Sequence, residues 1–340
     1  MKKETFYLSC DKKTKIHAVA WKSESRKVKA VIQICHGMAE YIDRYEEFAL
    51  WLAGKGYYVT GHDHLGHGKS ILSEDDYGYF PEKQGKECVI GDIRRLYLAT
   101  RKRYPDCPYF MIGHSMGSFL LRQYIQRYGS ELDGAVIMGT GYQPYPLLLA
   151  GEFLCSLIGR VRGGHYRSQL VDSMAFGSYN KDFEPGKTGR EWLSAEEENV
   201  ARYEADPLCG FLFTVSGYRQ MFRGMRTLTK KGVKMIPQDL PVLFVSGAKD
   251  PVGDFGAGVW KVYEQFRKAG ISDTMIRLYS DDRHEILHEE DRMQVFEEIE
   301  NWIAERITKC SRKREPYFTR KCVSKAPFSP PCATKCRKKT

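Results

Sequence analysis

The stretch Tyr109-Phe110-Met111-Ile112-Gly113-His114-Ser115-Met116-Gly117 decides the fold. Four apolar residues read as a short buried strand. The chain then turns at Gly113 into a helical pattern holding Phe119, Leu120, Tyr124 and Tyr128, stopped by Gly129. A serine bracketed by glycines two residues away on each side fits Gly-x-Ser-x-Gly. That pattern demands a strand-to-helix turn so tight that the serine backbone is strained and only small residues fit beside it. The hydroxyl then stands exposed above the helix N-terminus. The pattern is weak alone, but the strand before and the amphipathic helix after supply its context. A glycine-rich helix start does not explain why both glycines bracket a serine.

Working outward, strands and helices alternate. The first 30 residues read as two polar-alternating strands, and residues 28–35 (Val-Lys-Ala-Val-Ile-Gln-Ile-Cys) as a strand buried on both faces. A helix over 43–54, a strand over 57–60, a loop over 61–70 and a helix over 85–104 precede the serine turn. A strand over 134–139 follows it. The rhythm fails over 142–236, which is helical and aromatic-rich, and resumes with a strand over 241–247, a helix over 258–269, a strand over 274–279 and a helix over 291–306. The expected class is α/β, a mostly parallel sheet flanked by helices. Its core comprises 1–141 and 237–308, with 142–236 a helical cap.

A serine nucleophile needs a base, and the base an orienting carboxylate. On an open sheet both belong at carboxyl ends of later strands. Asp250 follows the 241–247 strand and His284 follows the 274–279 strand, giving the order Ser, Asp, His. Asp254 and Asp273 compete less well because neither sits directly at a strand end, and His288 reads as a surface or packing residue. Two backbone amides should receive the developing oxyanion, those of Met116 after the nucleophile and Met38 in the loop after the 28–35 strand. His36, Gly37 and His114 are assigned to substrate binding, with His36 also shaping its loop. The run His62-Asp63-His64-Leu65-Gly66-His67 suggests a metal, but no second ligand cluster lies downstream at recognisable spacing. The expectation is no metal and no cofactor.

The formal charge of +10 invites a nucleic-acid partner. Its placement argues otherwise. Residues 309–340 carry eleven basic side chains and one acid, leaving 42 of each sign in 1–308. The hydrophobic fraction of 42% and aromatic fraction of 13% suffice for a sizeable core and exclude a disordered chain. No stretch approaches the ~18 apolar residues of a membrane span, and no apolar leader follows Met1-Lys2-Lys3-Glu4. Cys10, Cys35, Cys88, Cys107, Cys155 and Cys209 have no framework spacing and read as reduced thiols. Cytoplasmic residence follows. The tail, with Cys310, Cys322, Cys332 and Cys336, reads as disordered, and either the cap or the tail could touch a membrane peripherally. Nothing in the sequence sets the oligomeric state.

His36-Gly37-Met38-Ala39-Glu40 with Arg44-Tyr45, Asp63-His64-Leu65-Gly66-His67-Gly68-Lys69-Ser70, Gly113–Gly117, Asp250-Pro251-Val252 and Arg283-His284-Glu285 together resemble the monoacylglycerol lipase/lysophospholipase-like branch of the α/β-hydrolase superfamily, which includes serine aminopeptidase-like hydrolases. The resemblance runs in order over about 1–308. It implies an α/β-hydrolase fold, a triad of Ser115, Asp250 and His284, an oxyanion hole at Met38 and Met116, and a mobile cap. Tyr41 and His64 depart from the branch, which commonly carries His and Arg there. The expected activity is hydrolysis of carboxylic esters, monoacylglycerols or lysophospholipids first. Amide or peptide cleavage, a non-catalytic binding module and a metal hydrolase are the competing readings. An apolar cap holding Leu147-Leu148-Leu149, Phe153-Leu154 and Phe211-Leu212-Phe213 suits an acyl chain, and equally suits simple packing onto the sheet.

Overall fold

The computed structural model describes residues 1–183 and 186–314, without the side chains of 309–314. Eight strands form one sheet in the order β1-β2-β4-β3-β5-β6-β7-β8. The strands are β1 (Lys2–Leu8), β2 (Lys15–Trp21), β3 (Ala30–Cys35), β4 (Tyr57–His62), β5 (Tyr109–His114), β6 (Gly134–Met138), β7 (Val242–Gly247) and β8 (Thr274–Tyr279). β1 pairs antiparallel with β2, and β2 antiparallel with β4. Every later pairing is parallel. β3 to β7 are buried along their whole lengths, as continuous apolar runs require when helices cover both faces. The exposed edges fall to β1, which is open along most of its length, and to β8, where covered and open residues alternate. β2 departs from the sequence expectation. It is largely buried rather than polar-alternating, because β1 shields its edge and helices cover its faces.

Gln33 shows how a polar side chain is accommodated within the central strands. Gln33 in β3 donates to the Ile93 carbonyl at 3.1 Å and accepts from the Tyr109 hydroxyl at 2.6 Å, so its buried amide is paired.

Helices α1 (Glu46–Gly54), α2 (Gly85–Arg103), α3 (Met116–Tyr128), α9 (Ala257–Lys268) and α10 (Arg292–Arg314) cover the two faces. Phe48 and Leu52 of α1 meet Val295, Phe296, Ile299 and Trp302 of α10 in one core. Ile93 of α2, Leu121 of α3 and Val262 of α9 belong to the other. Between β6 and β7 the chain leaves the sheet for α4 (Tyr145–Arg162), α5 (Gln169–Phe176), α6 (Glu197–Ala205), α7 (Val215–Met225) and α8 (Lys230–Val233). Ser168 and Thr214 cap α5 and α7, each accepting from a backbone amide of the first turn.

The closing helix runs beyond the expected end at 306. Its apolar spacing ends at Ile307, but the helical backbone continues to Arg314. The segment assigned to a basic tail therefore begins as helix. Residues 315–340, and the expectation that they are disordered, lie outside the described residues.

Candidate active site

The turn after β5 places Ser115 at φ +52° and ψ −121°, a left-handed conformation rarely adopted by a residue with a side chain. Its surroundings hold it there. Ser115 N–H donates to the Met138 carbonyl at 3.0 Å, and the Ser115 carbonyl accepts from the Ser118 hydroxyl at 2.6 Å. A Cβ on Gly117 would run into the Cys35 carbonyl, and one on Gly113 into the Gly117 carbonyl, so both flanking positions exclude a side chain.

Asp250 and His284 arrive from the ends of β7 and β8. His284 Nδ1 lies 2.9 Å from Asp250 Oδ2. Both side chains are buried. Asp250 also accepts from the Val252 amide at 2.8 Å and the Ser246 hydroxyl at 3.3 Å, which fixes its carboxylate plane. With Nδ1 committed to Asp250, Nε2 is the nitrogen left to take a proton. The imidazole packs between Trp192 and His114, at ring-centroid distances of 5.2 and 4.7 Å.

The competing acids lie elsewhere. Asp254 ends a short turn in left-handed conformation, and Asp273 pairs with Arg306 at 2.6 Å. His288 Nε2 lies 3.1 Å from the Arg44 carbonyl, a packing contact.

Ser115, Met116, Met38, Gly37, His114 and His284 all line one cavity of about 820 Å³. Among the described residues neither the Met38 nor the Met116 amide donates to a protein acceptor. His36 does not line this cavity. Its ring is occupied in the loop, with Nδ1 2.8 Å from the Gly37 carbonyl and Nε2 accepting from the His64 amide at 2.8 Å.

His62, His64 and His67 are fully buried around His36. Burial pushes His62 and His67 down to about 3, so both rings are neutral. His64 Nδ1 faces His62 Nε2 at 3.2 Å, and His67 Nδ1 faces the Leu65 carbonyl at 3.0 Å. Among the described residues no group of three or more ligand-type side chains converges as a metal would require. Asp63 is not aimed at these rings. It accepts from His17 at 2.8 Å, Lys69 N–H at 2.9 Å and Ile42 N–H at 2.9 Å, and so ties the loop to β2 and α1's approach.

The far wall of the cavity comes from the helices between β6 and β7. Leu147, Leu154, Phe176 and Phe222 give it an apolar lining. Tyr179, Thr188 and Arg190 form a more polar part. Arg190 is paired with Glu204 at 2.5 Å, and Glu40, Asp172 and Glu285 also reach the lining.

Behind Ser115 and the Asp250–His284 pair lies a polar network whose long-range contacts sequence spacing does not signal. Arg44 donates to both oxygens of Glu285 at 2.6 and 2.8 Å and to Glu40 at 3.0 Å. Asn199 of α6 donates to Glu285 at 2.7 Å. Glu40 in turn accepts from the Gly37 amide and, at 2.7 Å, from the Tyr45 hydroxyl.

A strained serine on a strand-to-helix turn, with an Asp–His pair at later strand ends of a mostly parallel sheet, defines an α/β hydrolase. The family model described as serine aminopeptidase, S33, matches residues 26–291, and the chain belongs to that family. It is 26% identical over 301 residues to monoglyceride lipase of Mus musculus, covering 84% of this chain and 86% of that one. It is 24% identical over 287 residues to monoacylglycerol lipase of Mycolicibacterium smegmatis, covering 82% and 89%. A thermostable carboxyl esterase from Bacillus coagulans, solved in complex with glycerol, superposes with a TM-score of 0.84 at 27% identity, covering 90% of this chain and 99% of that chain.

Proposed function

We propose that this chain is a serine hydrolase of carboxylic esters acting on uncharged acylglycerols, monoacylglycerols first. The observation that carries the reading is the Asp250–His284 pair opening, with strained Ser115, onto one largely apolar cavity. His284 Nε2 takes the Ser115 proton as Oγ attacks the acyl carbonyl. The amides of Met38 and Met116 receive the oxyanion, and Asp250 holds the imidazolium that forms. Collapse breaks the ester C–O bond, and the alcohol leaves with the proton from His284. Water, deprotonated by the same nitrogen, then attacks the acyl-enzyme. The carboxylic acid departs and Ser115 regains its proton.

Two features support the substrate class. An apolar wall rewards each buried CH₂ of an acyl chain by about 0.8 kcal/mol. Arg190, the one guanidinium among the described lining residues, is held by Glu204, which favours uncharged monoacylglycerols over phosphate-bearing lipids. The segment 142–236 is the cap over this cavity. On α4, Leu149, Phe153, Leu157 and Val161 recur every fourth residue and are 45%, 70%, 51% and 77% exposed. Such a stripe suits peripheral contact with a lipid interface. No helix among the described residues is long and apolar enough to cross a membrane.

Amide cleavage is the second reading, favoured by the family's description as serine aminopeptidases. A fluorophosphonate probe should label wild-type protein and not Ser115→Ala. Labelling of the variant, or of neither, would reject the serine mechanism. Turnover of p-nitrophenyl esters of graded chain length should exceed that of aminoacyl anilides. Anilide-only turnover would replace the ester reading with the amide one.

A further inference from the structure

His114 lies one residue before the nucleophile, and its hydrogen bonds define its proton count. Its Nε2 is 3.1 Å from the main-chain carbonyl of His284, an oxygen that can only accept, so Nε2 carries a proton. Its Nδ1 is 2.8 Å from the Tyr45 hydroxyl. Tyr45 has one proton, which it gives to Glu40 at 2.7 Å. Nδ1 must therefore donate to the Tyr45 oxygen, and the ring holds two protons. The neutral alternative would move a proton onto Glu40. That carboxylate already accepts from Arg44 and from the Gly37 amide, both of which favour its ionised form.

The charge count agrees. Glu40 and Glu285 are buried, and the Arg44 side chain is largely covered. Two carboxylates and one guanidinium leave an excess negative charge that a second cation would balance. The groups facing His114 are Glu40, Arg44 and Tyr45 from the β3–α1 connection, His36 at the end of β3, and His284 and Glu285 after β8. His36 is neutral, because burial lowers it.

We infer that His114 is a positioning residue: as an imidazolium it completes a buried four-charge network with Glu40, Arg44 and Glu285, and it fixes the main chain of His284 relative to the loop bearing Gly37 and Met38. The direction of its titration is consistent with this. Burial alone would lower His114, but Glu40, whose Oε1 also lies 3.4 Å from Nδ1, and the charge of Glu285 raise it above the ordinary histidine range. The network also reaches α6 through Asn199, so one cluster joins the serine turn, the loop after β3, the base and the helical insertion. The His114 ring also lies beside that of His284, at a centroid distance of 4.7 Å.

The inference rests on the reading of Ser115 and His284 as the reacting groups, and its test separates the two. Nitrogen NMR of ¹⁵N-histidine-labelled wild-type protein, assigned by triple resonance, needs no substrate. Both ring nitrogens of His114 should be protonated at pH 7 and should titrate at higher pH. One unprotonated nitrogen at pH 7 overturns the proposal, whatever the probe does at Ser115. Glu40→Gln should bring that titration back toward the ordinary range, and an unmoved titration argues against the pairing. In kinetics, His114→Gln should lower kcat by about ten- to a hundredfold with KM within about twofold. It should also remove an alkaline limb of the pH profile that is present in wild type. A profile identical in shape to wild type overturns the positioning role. If His114→Gln does not fold, the NMR titration of wild type decides alone.

Discussion

Ser115 holds a conformation that costs of order 1–3 kcal/mol, and the neighbouring residues supply that energy rather than the serine itself. The glycines at 113 and 117, visible in the sequence, are the reason the turn can be this tight. Asp250 and His284 were also legible, because a residue at the carboxyl end of a buried strand has few places to point. Asp250→Asn should lower kcat about 10³–10⁴-fold, since an amide can force the wrong tautomer on His284 without disturbing the packing. Single-turnover kinetics on a soluble ester, with circular dichroism to show an intact fold, would check it. A loss under tenfold would place the orienting carboxylate elsewhere. The Arg44–Glu285 pair was not legible as a pair. Its members are 241 residues apart, and no periodicity links charges across such a distance. The assignment of His36 to substrate binding met the same obstacle, since only the fold shows its ring turned into the loop.

At the scale of elements, the buried strands were the easiest to read, because an all-apolar run of five or six residues has one comfortable home. The inserted helices were harder. α4 has apolar residues on all sides, and sequence alone does not say which face meets α7 and which is left uncovered. The structure leaves the Leu149–Phe153–Leu157–Val161 face open. Phe153→Glu should weaken binding to neutral phospholipid vesicles by about ten- to a hundredfold, the equivalent of un-burying one large apolar side chain. Turnover of a soluble short-chain ester should stay within about twofold of wild type. Unchanged vesicle sedimentation would show that this face does not touch lipid. The end of α10 was misjudged for a related reason, since apolar spacing marks where a helix packs and not where it stops.

Across the whole molecule, the +10 charge belongs largely to the last 32 residues, and the pH response of the folded unit is set by buried groups instead. Asp92 of α2 is one. It ties the β1–β2 hairpin down by accepting from the Ser9 hydroxyl at 2.6 Å and the Cys10 amide at 2.7 Å. Burial nevertheless outweighs those bonds and pushes it up to about 6. A carboxyl raised on folding contributes stability that is complete below its unfolded value near 4 and is lost as pH rises through about 6. The shift of about two units corresponds to at most ~3 kcal/mol. Asp92→Asn, which cannot ionise, should therefore gain stability relative to wild type between pH 4 and pH 8, read as a difference in urea midpoints. An equal midpoint difference at both pH values would contradict the assignment.

His114 and His284 are 170 residues apart, with all of α4 to α8 synthesised between them. At about 5–20 residues per second on the ribosome, Ser115 emerges roughly 10–30 s before His284. During that interval the nascent chain holds Ser115 without the Asp250–His284 pair, and the network around Glu40 and Arg44 lacks Glu285. The order of synthesis thus makes this cluster one of the last parts of the fold to close, once β8 has joined the sheet.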